Sequence, residues 1–245
     1  MSEKVLIMGV PINKVTMEEA SEQVVGYLQG MGQHTVFTPN PEIIMEAQDD
    51  KEMMQILKKA DLVVADGIGV VLASKFLKVP TLPERVGGFD LMQNVLSKIK
   101  DKDIRVYFLG SKPGVAAQAA KNMEKKYPGI KIVGASDGYF TGDDEPALIN
   151  AIKDLNVNLL LVGLGAPRQE KWINQHLDKL GVNVAVGVGG SLDVMAGVVK
   201  RAPEIYQKLG LEWFYRLITN PKRAKRMISL PIFGFKVIIM AIKGQ

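Results

Sequence analysis

Apolar residues in this chain fall into short runs, separated by longer stretches in which they recur every three or four positions. The runs predict strands over residues 4–9, 35–38, 62–65, 105–109, 131–135, 158–163 and 183–188. Most are rich in Leu or β-branched residues, apolar on both faces, and end in Gly or Pro, as strands of a buried parallel sheet do. The intervening stretches predict helices over 16–28, 41–59, 69–77, 89–100, 114–126, 145–155 and 168–180, several opening on Thr, Asp or Pro. Strands alternating with helices of this length indicate an α/β fold with a mostly parallel sheet flanked by helices.

Beyond about Lys200 the pattern is helical only, over 203–219, 221–229 and 231–243, each opening on a proline suited to a first helical turn. The apolar stretch 227–242 contains Pro231, Gly234 and Lys236 and is shorter than the ~18 residues that span a bilayer. Two fates fit it: a helix packed on the body or on another subunit, which allows a homo-oligomer, or a helix lying on a membrane surface. The expected organisation is an α/β domain over 1–195 and a helical basic appendage over 196–245.

Composition narrows the chemistry. There is no cysteine and there are only two histidines, His34 and His176, which excludes Cys-rich zinc sites, thiol nucleophiles and redox dithiols. The apolar run from Val5 to Val10 is too brief for a signal peptide, so a cytoplasmic location is expected. Charge is unevenly spread. Residues 196–245 hold ten Lys/Arg against Glu204 and Glu212, a net of +8, and 1–195 hold 21 basic against 24 acidic residues. A tail of this kind usually meets phosphates, whether of a nucleic acid, a lipid headgroup or a diphosphate substrate.

In open α/β sheets ligands bind beyond the carboxyl ends of the strands. Those ends read Thr38-Pro39-Asn40-Pro41-Glu42, Asp66-Gly67-Ile68-Gly69, Gly110-Ser111-Lys112-Pro113-Gly114, Asp137-Gly138-Tyr139-Phe140, Gly165-Ala166-Pro167-Arg168-Gln169 and Gly187-Val188-Gly189-Gly190-Ser191. Several glycine-rich ends together suit a nucleotide-type ligand. Gly163-x-Gly165 lacks the third glycine of a dinucleotide fingerprint, and no P-loop pattern exists. Asp101-Lys102-Asp103 precedes a strand, on the wrong edge of the sheet for a metal site, so neither a metal nor a cofactor is expected.

Asp66 ends an apolar strand before Gly67. It reads equally as a general base in a partly dry cleft and as an N-cap of the following helix. Arg85 could clamp a phosphate or pair with its neighbour Glu84. Asn40 and Gln169 suit sugar hydroxyls or amides, yet both could cap helices.

The ordered set is more specific than any one motif. It runs through Thr38–Glu42, Ala65–Gly69, Arg85–Asp90, Asp137–Phe140, Gly163–Trp172, Gly187–Asp193, Arg201–Glu204 and Gly210–Arg216. Over nearly the whole chain it resembles the WecG/TagA/CpsF family of bacterial glycosyltransferases, whose fold is Rossmann-like. That resemblance implies inverting, metal-independent transfer of N-acetylmannosamine from a UDP-sugar donor to a polyprenyl-diphosphate-linked N-acetylglucosamine. It makes Asp66 the catalytic base and places Thr38, Asn40, Arg85 and Gln169 in the pocket. Asp137, Tyr139, Gly187 and Gly189, on the strand-end loops, are further substrate-binding candidates. Arg216, Arg223 and Arg226 of the appendage would complete the site on an anionic membrane, at its inner face. The rivals are another UDP-sugar donor, a nicotinamide-dependent reductase, and a nucleic-acid binder using the tail. The tail's Ile and Phe stripes favour lipid over nucleic acid.

Overall fold

The structure is a computed structural model and describes residues 2–219 and 227–243. Six strands form one all-parallel sheet: β3 (His34–Phe37), β4 (Leu62–Val63), β5 (Arg105–Gly110), β6 (Lys131–Ser136), β7 (Leu159–Gly163) and β8 (Val184–Gly187). Their order is β4-β3-β8-β7-β5-β6. The chain starts at β3, steps outward to β4, crosses to β5 and β6, then returns through β7 to β8 in the middle. Strands β7 and β8 are buried along their whole length, which is why they read as unbroken apolar runs.

Helices cover both faces. One layer holds α1 (Met17–Gln29), α5 (Gly88–Ile99), α6 (Val115–Lys126) and the short α9 (Ser191–Met195). The other holds α2 (Pro41–Asp49), α3 (Lys51–Lys59), α4 (Ile68–Phe76), α7 (Glu145–Asp154) and α8 (Arg168–Leu180). The sheet is thus sandwiched, with a buried apolar cluster on each side. This doubly wound arrangement is the α/β fold with a parallel sheet that the alternating pattern predicts, and it is Rossmann-like, as the family resemblance implies.

Three elements differ from the sequence expectation. The run 4–9 does not join the sheet: β1 (Lys4–Ile7) turns back on β2 (Val10–Asn13) as an antiparallel hairpin. The turn residues Met8 and Gly9 both have positive φ, 49° and 80°, which matches the twist of a two-residue hairpin loop. The hairpin buries Val5, Ile7, Val10 and Ile12, and Asn13 Oδ1 accepts a hydrogen bond from Val63 N–H at 2.8 Å. The predicted helix 41–59 breaks at Asp50, whose carboxylate caps α3 by accepting from Met53 N–H at 3.0 Å. The predicted helix 203–219 divides into α10 (Glu204–Lys208) and α11 (Glu212–Thr219) around Gly210. There φ is 69°, and a Cβ would lie 2.8 Å from Cγ2 of Ile68, so glycine lets the tail cross the start of α4.

The last helix, α12 (Ser229–Lys243), packs against α2 and α4. It inserts Phe233 and Val237 into the core on that face. Among the described residues no helix is long and apolar enough to cross a membrane. The tail nevertheless leaves Ile205, Leu209, Trp213, Phe214, Ile218, Phe235 and Ile242 exposed.

Candidate active site

A cleft of about 1010 Å³ opens at the carboxyl ends of β3, β4, β7 and β8 and is roofed by tail residues. Thr38, Asn40, Asp66, Arg85, Gln169 and Gly189 all line it. The sheet brings them together although they span most of the body, because neighbouring parallel strands end side by side.

Asp66 sits at the rim. Its N–H donates to Pro39 O at 3.1 Å, tying the end of β4 to the loop after β3. The N-cap of α4 is Gly67 (φ 107°), so Asp66 stands one residue before the cap position and not on it. Its carboxylate faces the start of α5 instead: Oδ2 accepts from Gly88 N–H at 3.4 Å, and Oδ1 lies 3.8 Å from Arg85 Nη1. Thr38 stands against the same helix start, where a Cβ on Gly88 would lie 2.8 Å from Thr38 Oγ1. Glycine there allows the loop after β3 and the first turn of α5 to meet beside Asp66.

Arg85 does not pair with Glu84, which instead accepts from Met17 N–H at 2.6 Å. It donates through Nη2 to Asp90 Oδ2 at 2.8 Å and through Nη1 to Glu212 Oε2. Arg201 closes the circuit, donating to Asp90 Oδ2 at 2.6 Å and to Glu212 Oε1 at 3.4 Å, with its guanidinium over the Phe89 ring. Burial opposes the charge of Arg201, but the Asp90 bond and the Asp90 and Glu212 charges hold its pKa above the usual value. Two guanidiniums and three carboxylates, counting Asp66, therefore share one wall of the cleft. Arg201 and Glu212 have no assigned role in the sequence reading. The available signal was that Glu212 is one of only two acids in the basic tail.

Asn40 caps α2, with Oδ1 accepting from Ile43 N–H at 3.0 Å, while also lining the cleft. Gln169 does not cap α8. It is buried in the cleft floor, accepting from Gly189 N–H at 3.0 Å and donating to Glu170 Oε1 at 2.8 Å. Burial pushes the Glu170 carboxyl up, and the Gln169 bond opposes that rise. Gly187 lies beneath, where a Cβ would approach Gln169 Nε2 to 2.9 Å, so this glycine lets the amide settle onto β8.

Asp137 and Tyr139 lie elsewhere, in a second cavity of about 570 Å³ beyond β5 and β6. Arg223, Arg226 and the side chain of Arg216 lie outside the described residues. His34 stacks on Tyr27 beside Asp61, and Asp103 pairs with Lys131, so both have structural partners. Among the described residues no group of three or more His, Asp or Glu side chains is placed to hold a metal ion.

A doubly wound α/β protein thus gathers, in a cleft at the carboxyl ends of its strands, a rim carboxylate and two arginines held in a network of ion pairs. The model of the glycosyl transferase WecG/TagA/CpsF family matches residues 5–245, and the chain belongs to that family. It is 41% identical over 203 residues to a Bacillus spizizenii protein, covering 83% of this chain and 78% of that one. It is 36% identical over 236 residues to a Staphylococcus aureus protein, covering 96% and 92% respectively. Both relatives are named N-acetylglucosaminyldiphosphoundecaprenol N-acetyl-beta-D-mannosaminyltransferase.

Proposed function

We propose that this glycosyltransferase moves N-acetylmannosamine from a UDP donor to N-acetylglucosamine carried on a polyprenyl diphosphate, the linkage-unit step of wall teichoic acid synthesis. The observation that carries the reading is the placement of Asp66 within 3.8 Å of Arg85 in one cleft, in a chain with the relatives named above. Asp66 takes the proton of the acceptor hydroxyl as its oxygen bonds to the anomeric carbon. The bond from that carbon to the diphosphate oxygen breaks, and UDP leaves with the electron pair. Attack opposite the leaving group inverts the anomeric centre. Arg85 offsets the charge gathering on the diphosphate, as a fixed cation in a partly dry site can. In this reading Arg216, Arg223 and Arg226 add to that charge, and the reaction needs no metal.

The acceptor is confined to a bilayer, and the tail's exposed Ile, Leu, Trp and Phe side chains beside its basic residues suit an anionic leaflet. The protein is thus proposed to work at the inner face of the membrane. The test is a transfer assay with a panel of UDP-sugars and a lipid-diphosphate acceptor, run with and without excess EDTA. UDP-N-acetylmannosamine should be preferred and EDTA should leave turnover intact. Preference for another sugar, or loss of turnover restored by magnesium or manganese, would overturn the corresponding part. Vesicle sedimentation with anionic and neutral lipids checks the membrane reading.

A further inference from the structure

The cleft has a polar end, described above, and an apolar one. Helix α4 begins two residues after Asp66, and Ile68, Leu72 and Phe76 recur every four positions on its cleft face. At 1.5 Å per residue this stripe runs about 12 Å away from the carboxylate. All three side chains are exposed, Phe76 to 58%. Across the cleft α12 contributes Phe233, Val237 and Ile238, and it packs on α4. Two apolar helix faces thus form a channel continuous with the space that holds Asp66 and Arg85.

We infer that the channel between α4 and α12 holds the first isoprene units of the acceptor lipid, so that the enzyme grips the hydrocarbon chain as well as the sugar diphosphate. The inference rests on the proposed reaction. Its substrate is an amphiphile whose charged head and branched apolar chain are joined end to end, and the cleft joins a charged end to an apolar one in the same order. A bilayer would contact the outward faces of these helices, but it would not need a channel leading to the catalytic carboxylate.

Gly234 gives a direct test. It lines the cleft from α12, and a Cβ there meets nothing within 4 Å. Position 234 therefore accepts a Cβ, and Gly234→Leu adds branched aliphatic bulk to the channel lining, with leucine favouring helix over glycine. The assay compares kcat/KM for acceptors with one head group on isoprenyl chains of increasing length, all below micelle formation. In the unaltered protein kcat/KM should rise roughly tenfold or more with chain length, the scale expected from burying a few branched aliphatic groups. Gly234→Leu should reduce that ratio to about twofold, and Leu72→Asn should reduce it by a different route. A ratio that survives Gly234→Leu would overturn the inference, placing the chain in solvent, in the bilayer or against a second copy. Transfer with no chain-length gain in the unaltered protein would overturn it too. Absence of transfer to any acceptor would instead sink the proposed reaction itself.

Discussion

The two ends of the sheet's carboxyl edge are built from the same ingredients and come out differently. At β6, Asp137 accepts from Tyr139 N–H at 2.8 Å, Tyr107 and Ser136 pair their hydroxyls at 2.6 Å, and Arg168 donates to Gly138 O at 3.0 Å. Those polar groups are engaged in holding a loop. At β3, β4, β7 and β8 the side chains converge from four different strand ends on a cleft nearly twice as large. There Asp66 meets Gly88 N–H and Arg85 at 3.4 and 3.8 Å, too long for strong bonds. A glycine-rich strand end with an aspartate therefore does not by itself place a residue in the larger cleft. What sets this end apart is convergence of side chains from several strand ends on one cleft.

The largest expected effect tests the cleft end. Asp66→Asn keeps the side chain's size but removes the proton acceptor. Turnover should fall by about 10²-fold or more, the usual scale for losing a general base. Calorimetric UDP binding should persist. Near-normal turnover in the variant would place the base on another residue and remove the main distinction between the two ends.

A smaller effect is expected where the tail meets the body. Glu212 and Arg201 are mostly buried, so their bond contributes more than an exposed ion pair, by about 1–2 kcal/mol after allowance for residual solvent screening. Glu212→Gln should lower the melting temperature by a few degrees for a chain of this size. It should also reduce kcat/KM by roughly threefold to tenfold, since Arg85 loses a carboxylate that fixes it. A double-mutant cycle with Arg201→Gln should show coupling of at least about 0.5 kcal/mol. Additive losses would mean that the four charges do not act as a unit.

How much of this was readable in the sequence depends on how local each feature is. The six sheet strands are apolar runs, and runs are visible. The hairpin was not, because Met8-Gly9 lies inside a single run and periodicity does not mark a chain reversal there. Asp66, Asn40 and Gln169 were legible because each follows a strand within a few residues. The Arg85–Glu212 and Asp90–Arg201 contacts join residues 127 and 111 positions apart, which no spacing rule reaches. Asp137 and Tyr139 were legible as strand-end residues, but strand order is not a local property. The sequence does not say that β6 lies at the far edge of the sheet from β4.

That last point yields the smallest predicted effect and the sharpest control. Asp137 lines the second cavity, and its described bond holds its own loop through Tyr139 N–H. Asp137→Ala removes an exposed local hydrogen bond, which should lower stability by no more than about 1 kcal/mol. No charge near Asp66 or Arg85 changes, and the cleft wall does not include this residue. The kcat/KM for transfer should therefore stay within about twofold of the unaltered protein, with KM for the UDP-sugar equally unmoved. Tyr139→Ala, which removes a largely exposed ring from the same cavity, should behave alike. The informative contrast is with Asp66→Asn in one assay, two aspartates after two parallel strands of one sheet. If Asp137→Ala instead raises KM several-fold while the fold stays intact, substrate reaches across both ends of the carboxyl edge. The two cavities would then be halves of one site, and the division drawn between them would fail.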